Sequence, residues 1–396
     1  MMAMVDPARP EVSAAVQICK QAGIRLVMIT GDYGLTAETL ARRVGMIESE
    51  DVLILTGAEL DQMDEQQLQS LLDQEVVFAR MSPENKLRLV AAYQTRGEVV
   101  AVTGDGVNDA PALRKADVGI AMGLSGTDVA KEAADVILIN DNFAAIVRAI
   151  EEGRTVYENL RKFITYIFAS NVPEVLPFLL TALFNLPLAL TVRQILAIDL
   201  LTDLFPALAL GVEKPEPDIM QHPPRRRNQP LIDDKLLRRA FLWLGPIEAL
   251  LAFSGFFLVY ALFAGKLSPF LPKNGLMSAL VENQAYPTYL MAITIFHAGV
   301  VMAQVGNVFA VRTKTNRRNN RSSIFSNRFL LTSVGIEIGF IMLLIYFPPF
   351  AAIFQHAPLP LVFWLWLMFY PVILFGLEWM RKKIVEKISD HQIHSS

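Results

Sequence analysis

The hydrophobic pattern of the chain changes once, near residue 142. Before that point, short apolar runs alternate with amphipathic stretches. Leu26-Val27-Met28-Ile29, Val52 to Leu55, Val76 to Ala79, Val99-Val100-Ala101-Val102, Val118 to Met122 and Val136 to Ile139 read as strands. Between them, Pro10 to Gln21, Thr36 to Val44, the polar stretch Ala58 to Gln74 and Val129 to Ala134 read as helices. Gly23 and Gly45 stop the first two. A further helix starts at Ser82, with Pro83 at its first position, and a short one follows Asp109. Strands alternating with helices predict a parallel, doubly wound sheet with ligands at its carboxyl edge. The run at Val99 predicts a buried strand of that sheet.

From Phe143 the period becomes helical: Phe143, Ile146, Val147 and Ile150 share a face. Gly153 interrupts this helix mildly, and the pattern runs through Tyr157 to Lys162 into a long apolar run. Six apolar spans are expected, at about 163–184, 189–212, 240–264, 289–311, 329–347 and 360–379. Each is near the roughly 20 residues needed to cross a bilayer. The expected division is 1–142 as a cytoplasmic α/β domain, 143–162 as a stalk helix, 163–384 as a transmembrane bundle and 385–396 as a tail. A continuous rod from the α/β domain into the bilayer would be a mechanical coupler; a loop near Gly153 would uncouple them.

Charge fixes the expected orientation. Lys214, Arg225, Arg226, Arg227, Lys235, Arg238 and Arg239 fall in one connection, and Arg312, Lys314, Arg317, Arg318, Arg321 and Arg328 in another. The tail adds Arg381, Lys382, Lys383 and Lys387, while the alternate connections carry little beyond Lys266 and Lys273. Positive-inside bias then puts the α/β domain and both termini in the cytoplasm. The arginine clusters need no other function. Composition agrees: 53% of the 396 residues are hydrophobic and only 19% charged, against about 25% in a typical soluble domain. The net charge of −3 indicates no particular partner, and no nucleic acid is expected. Cys19 is the only cysteine, which excludes an intrachain disulfide and reads as a small core residue. Met1 to Pro10 holds Asp6, Pro7, Arg9 and Pro10 and no apolar core, so no cleavable leader is expected.

The chemistry concentrates in Thr103-Gly104-Asp105-Gly106-Val107-Asn108-Asp109-Ala110-Pro111-Ala112-Leu113. Glycines on either side of Asp105 allow a sharp turn at the end of the strand. Asp105, Asn108 and Asp109 then supply hard oxygen donors, which suit Mg²⁺ and a phosphoryl group. A capped strand–helix turn would also use Asp and Asn, but eleven residues of this composition are more specific than that. Thr30-Gly31-Asp32 can offer a hydroxyl and amides to a phosphate, and Lys86 can neutralise it. The stretch resembles the hinge signature of P-type ion-pumping ATPases, a branch of the haloacid-dehalogenase superfamily. Met28 to Asp32, Ser82-Pro83 with Lys86, and the Thr103 stretch are similar to successive parts of its phosphorylation domain. Asp6 to Val12 resembles the re-entry into that domain after the nucleotide domain. The resemblance implies a Rossmann-like (haloacid-dehalogenase-like) α/β fold, partial here, followed by an all-α six-helix transmembrane bundle. It also implies that Asp105 and Asp109 hold Mg²⁺, that Thr30, Gly31, Asp32, Lys86 and Asn108 take part in phosphoryl chemistry, and that ATP is the substrate.

Polar residues interrupt two of the spans. The first contains Ser170-Asn171-Val172-Pro173-Glu174-Val175-Leu176-Pro177, and the second Ile198-Asp199-Leu200-Leu201-Thr202-Asp203-Leu204-Phe205-Pro206. Unpartnered carboxylates at mid-membrane cost roughly 2.5–3.5 kcal/mol each. Asp199 and Asp203 lie one turn apart, as do Asn171 and Glu174. Pro173, Pro177 and Pro206 remove backbone donors and free carbonyls, so two broken helices are expected to form a cation site. Both spans resemble the ion-binding helices of the second P-type class, which includes the calcium and sodium/potassium pumps. Ser170, Asn171, Glu174, Asp199, Thr202 and Asp203 match ligand positions there, and Asp199 resembles the sodium/potassium group. Gln304 and Asn307 fall where that group has Gln and Asp, so Asn307 departs from it. Glu337 matches an acidic position of a sodium site. His297 reads as a packed polar residue.

No Asp-Lys-Thr-Gly and no Thr-Gly-Glu occurs in the chain, and Asp234-Lys235 continues Leu-Leu. The resemblance therefore implies the carboxyl-terminal part of a pump for Ca²⁺, Na⁺, K⁺ or H⁺. Its partners would be the bilayer and an amino-terminal half bearing the nucleophile and the nucleotide domain. Alone, such a chain is expected not to turn over. The other reading is a non-catalytic membrane protein that binds ions or a pump half without hydrolysing ATP. A phosphatase fused to a channel fits less well, given the missing nucleophile and the membrane carboxylates.

Overall fold

The computed structural model describes residues 9–263, 285–312 and 327–394. The start of the Asp6–Val12 motif, Lys266, Lys273, Lys314, Arg317, Arg318 and Arg321 lie outside the described residues. The chain divides into two compact units: Met1–Arg154 with Pro217–Gln229, and Thr155–Glu216 with Pro230–Ser396.

The first unit is α/β. In chain order it runs α1 (Pro10–Gln21), β1 (Met28–Ile29), α2 (Gly34–Arg43), β2 (Leu53–Thr56), α3 (Gly57–Gln62), α4 (Glu65–Leu71), β3 (Val76–Ala79), α5 (Pro83–Thr95), β4 (Ala101–Gly104), α6 (Ala110–Lys115), β5 (Val118–Met122), α7 (Asp128–Ala133) and β6 (Val136–Leu138). All pairings are parallel, but the strands form two sheets where the alternating pattern suggested one. Their orders are β1-β3-β2 and β4-β5-β6, in register Ile29↔Phe78, Leu55↔Phe78, Val102↔Gly119 and Ala121↔Ile137. Hydrophobic period identifies strands but carries nothing about which edges meet. Leu55, Leu60, Leu68, Leu72, Phe78 and Leu89 form the core between the first sheet and α3 to α5.

Two local expectations are corrected and one holds. The helix over 58–74 is two helices, because the Asp64 side chain accepts from the Gln67 amide (2.7 Å) and caps a new start. The strand at Val99 begins at Ala101, and its side chains alternate between exposed and half-buried. Val99 itself is 61% exposed, as fits an edge strand with one neighbour rather than a buried central one. At Ser82 the cap is as expected, with Ser82 Oγ and Asn85 Oδ1 each accepting from the other's amide and Pro83 at the first position.

The second unit is helical. Helix α8 (Ala144–Phe184) runs without interruption through Gly153, Pro173 and Pro177, so the first span is not the broken helix expected. Proline removes an amide donor yet keeps a helical φ, and each of these prolines costs one hydrogen bond without ending the rod. The second span is broken, by a π turn at Ile198–Thr202 between α9 (Val192–Ala197) and α10 (Leu204–Gly211). The Asp203 amide closes that turn on the Ile198 carbonyl at 2.8 Å. A second π turn, Ala240–Leu244, joins α11 (Asp234–Arg239) to α12 (Gly245–Phe263). Then come α13 (Ala285–Val311), α14 (Arg328–Tyr346), α15 (Pro348–Phe354), α16 (Leu361–Leu367) and α17 (Phe369–His394).

Six segments are long and apolar enough to cross a membrane: Ala144–Phe184, Val192–Gly211, Asp234–Leu262, Pro287–Val311, Arg328–Tyr346 and Leu361–Ile388. They overlie the six apolar runs of the sequence. Helix α13 is the most enclosed of them and packs along α12 and α17. Its Phe296 meets Phe253 of α12 edge-on at 4.8 Å.

Candidate functional site

At the end of β4 the chain turns through Asp105 and Gly106 into one 3₁₀ turn, Val107–Asp109, and then α6. That turn brings Asp109 back over the strand end. Its Oδ2 accepts from the amides of Gly106 (3.1 Å) and Asp105 (3.3 Å), and its Oδ1 accepts from Lys86 Nζ (2.5 Å). Lys86 stands in the first turn of α5, held there by the Ser82 cap and by Asn85, which donates to Asp61 at 2.6 Å. The Thr127 amide fixes the Asp105 carbonyl at 2.8 Å. The Asp105 side chain and Asn108 are exposed.

Thr30, Gly31 and Asp32 follow β1. Thr30 Oγ1 accepts from the Asp32 amide at 3.1 Å, and the Thr30 amide donates to Phe78 of β3 at 2.9 Å. Among the described residues no hydrogen bond or ion pair joins them to Lys86 or Asp109. The structure thus unites Asp105, Asp109 and Lys86 and leaves the Thr30 turn at the end of the other sheet. A Mg²⁺ ion is commonly held by one or two carboxylates, with phosphate and water completing its shell. The exposed Asp105 carboxylate and the anchored Asp109 match that donor set.

The second candidate site lies inside the helical unit. Tyr166, Ser170 and Glu174 recur every fourth residue on one face of α8 and are 0%, 0% and 4% exposed. Thr202 and Asp203, at the π turn, are buried, with Thr202 donating to the Ile198 carbonyl at 3.1 Å. Gln304 and Asn307 of α13 and Glu337 of α14 are fully buried. The Tyr166 and Ser170 hydroxyls lie against the Asp203 carboxyl. Glu174 stands near Asp199 and Asp203, and Glu337 near Asp203. Asn171 is half-buried and Asp199 exposed at the side of the bundle, so these two border the cluster rather than sit within it. His297 is apart, its Nδ1 2.9 Å from His356 Nε2.

One member was not singled out from the sequence. Glu248, in the first turn of α12, is 0% exposed, lies against Asn307, and stands near Asp203 and Glu174. Gly245, one turn before it, explains the approach to α8: a Cβ there would lie 2.4 Å from Val172 and 3.0 Å from the Ala169 carbonyl. Pro173, four residues on, leaves that carbonyl without its helical donor. A lone glutamate in the apolar run 240–264 was the signal.

Several of these polar atoms have no partner. One oxygen each of Glu174 and Asp203, both carboxylate oxygens of Glu337 and both amide atoms of Gln304 are buried without hydrogen bonds. Unpaired buried groups cost roughly 1–3 kcal/mol each, so so many together have no stability rationale. Among the described residues no three His, Cys, Asp or Glu side chains converge as around one bound metal ion.

Comparison with known proteins gives two family matches. A model described as "Cation transporting ATPase, C-terminus" covers residues 187–384, and one described as haloacid dehalogenase-like hydrolase covers 1–117. A calcium-transporting ATPase of Bacillus subtilis (strain 168) is 42% identical over 356 residues, 89% of this chain and 37% of the relative. Sodium/potassium-transporting ATPase subunit alpha-4 of Rattus norvegicus is 36% identical over 426 residues, 98% of this chain and 41% of the relative. Subunit alpha-2 of Homo sapiens is 36% identical over 435 residues, 98% and 42%. The chain spans about two fifths of the length of these curated relatives.

Proposed function

The chain belongs to the P-type cation-transporting ATPases, and we propose that it serves as the Mg²⁺–phosphate hinge and the intramembrane cation site of such a pump. The observation that carries this reading is the set of buried, unpartnered oxygens contributed by α8, the π turn of the second span, α13 and α14. A cation is the ligand that satisfies carboxylates and amide oxygens together. Glu174 and Asp203 supply the charge, Thr202, Ser170, Gln304 and Asn307 neutral oxygens, and Glu337 a further carboxylate. Asp199 and Asn171, at the border, receive the ion on its way in or out.

In the other unit Asp105 and Asp109 would hold Mg²⁺, which supplies charge neutralisation at a transferring phosphoryl group. Lys86 keeps Asp109 oriented, and Thr30, Gly31 and Asp32 offer donors to phosphate oxygens. The carboxylate nucleophile and the nucleotide site come from an amino-terminal half, and ATP-driven transport is the activity of the two together. The arginine-rich connections support a reading with the α/β unit on the cytoplasmic side of a cell membrane.

The test is equilibrium binding of radiolabelled sodium, rubidium (for potassium) and calcium to the purified chain in phospholipid nanodiscs. Binding of at least one cation is expected, weakened about tenfold or more, some 1.4 kcal/mol, by Asp203→Asn. If no cation binds and Asp203→Asn changes nothing, the cluster is packing and the reading fails.

A further inference from the structure

The connection between the fifth and sixth spans meets the fourth span through a buried histidine pair that neither the cation site nor the phosphate site uses. His297 of α13 is fully enclosed, and His356, just after α15, is 7% exposed. Their hydrogen bonds fix where the protons are. His356 Nδ1 lies 3.1 Å from the Leu344 carbonyl of α14, which can only accept, so that nitrogen carries a hydrogen. His356 Nε2 is then bare in the neutral ring and accepts from His297 Nδ1 at 2.9 Å. His297 Nε2 is left as a bare lone pair, buried without a partner.

Nothing balances a charge on the pair. His356 is the titratable group that faces His297, α14 offers the Leu344 carbonyl, and α15 offers the Phe354 ring stacked on His356. Next to these come Arg193 of α9, which donates to the Ile353 carbonyl at 2.9 Å, and Tyr346, which donates to the Leu359 carbonyl at 2.8 Å. Among the described residues no Asp or Glu acts on either ring. A first added proton has one free place, His297 Nε2, and makes an unpaired cation beside the apolar core of Phe296, Ile341 and Ile345. A second sets two N–H groups against each other across the pair. Burial accordingly pushes the His356 imidazole down to about 4.

The same short segment is fastened to two spans. The Ala357 amide donates to Thr294 Oγ1 of α13 at 2.9 Å, and Gln194 Nε2 of α9 donates to the Phe354 carbonyl at 3.2 Å. Gln355 between them has φ 58°, a left-handed conformation that a non-glycine residue keeps where its surroundings hold it. Gln194 also accepts from the Thr191 amide at 3.0 Å and so caps α9, which runs straight into the π turn before Asp203.

We propose that the His297–His356 pair is an acid-sensitive latch, which at neutral pH fastens the 353–357 segment to the second and fourth spans and on protonation releases it. His356 is the ring that leaves, because it sits on a connection and His297 is fixed within α13. Release frees the first turn of α9, ahead of the π turn. By the alternation of the spans this connection lies opposite the arginine-rich ones, so the latch answers to pH on that side of the membrane. It does so whether or not the spans bind cations. A ring whose folded pKa is depressed favours the closed form above its open-state value, about 6.5, and loses that contribution as pH falls toward the folded value.

The experiment is amide hydrogen exchange of the chain in phospholipid nanodiscs at pH 7.5 and 5.5, each rate divided by the intrinsic rate at that pH. The His356 amide donates to the Ala351 carbonyl at 2.8 Å and the Ala357 amide to Thr294. Their protection is expected to fall about tenfold at pH 5.5, one unit below the ordinary imidazole value. His297→Gln with His356→Gln keeps a donor and an acceptor and carries no charge, so its protection should stay level. Unchanged protection in the wild type, or an equal fall in the double variant, overturns the proposal. Should that variant not fold, the wild-type profile decides. Protection of the two amides should be level above about pH 6.5 and fall about tenfold per unit below it. The Leu330 amide, bonded to Asn327 at the far end of α14, should stay protected throughout. A fall shared by Leu330, or no fall at all, overturns the latch.

Discussion

A single hydrogen decides the strand-end site. A Cβ on Gly104 would lie 2.5 Å from the Asp109 Cβ and 2.9 Å from its Oδ2, so Gly104→Ala must expel Asp109 from its two amides and Lys86. Mg²⁺ affinity of the chain, followed by calorimetry, should then fall about tenfold. Asp105→Asn should cost as much without lowering the melting temperature, since its side chain is exposed and supports nothing. Unaltered affinity in both would make Asp105 and Asp109 turn residues only. Asp117 shows a purely structural carboxylate in the same unit. The Val100 amide at the start of β4 holds its carboxyl below the usual range against the opposing effect of burial, aided by Gln94 and Arg227. A depressed carboxyl stabilises the fold above its unfolded pKa, about 3.9, and loses that contribution as pH falls through the folded value. Asp117→Asn should therefore cost about 2 kcal/mol between pH 5 and 7, by thermal melts, with the gap to wild type closing below about pH 4. A gap that widens on acidification would contradict this. Asp105, Asp109 and Lys86 were legible in the sequence because motif and strand end coincide. Glu248 was not, because one acid in an apolar run gives no sign of which way it faces.

Helices and strands were legible where one period ran its length and illegible where a single side chain or one backbone bond decided. The six spans followed from apolar length alone. The break did not: prolines marked the first span, yet α8 runs straight through Pro173 and Pro177, while the second span breaks at a π turn with no proline inside it. A π turn is one surplus residue, which composition does not reveal. Helix contacts depend on the same kind of local detail. Gly245→Val would push α12 off Val172 of α8 and carry Glu248 away from Glu174, so cation affinity should fall at least about tenfold together with thermal stability. Gly335→Ala on α14 is the control, because a Cβ there meets nothing. In a helix it should be neutral or stabilising by up to about 1 kcal/mol, with ion binding unchanged. Equal losses in both variants would mean that helix propensity, and not the approach of α12 to α8, set the result.

The two-part character of the chain was the most legible feature, since a change from period two to long apolar runs reports it directly. The order of strands across two sheets was not, because every edge strand looks alike in sequence. Helix α8 begins in the α/β unit and continues into the helical one. If the two sites act in one pump, their coupling is reciprocal: a state of the hinge that favours bound ion is favoured by the ion to the same extent. The consequence is testable once the chain is co-expressed with a nucleotide-binding half that carries the nucleophile. The purified chain alone should incorporate no γ-phosphate, and the reassembled pump should incorporate it in a cation-dependent way. Asp203→Asn should raise the cation concentration for half-maximal phosphorylation about tenfold or more and leave the Mg²⁺ dependence nearly unaltered. Asp105→Asn should do the reverse, abolishing Mg²⁺-dependent phosphorylation while the chain still binds its cation in nanodiscs. The distinguishing result is the pair of Mg²⁺ and cation titrations on each variant. If Asp203→Asn shifted the two dependences equally, the loss would lie in folding or assembly. If it shifted neither, ion occupancy in the spans would not be linked to the hinge, and the two units would have to be assigned separate functions.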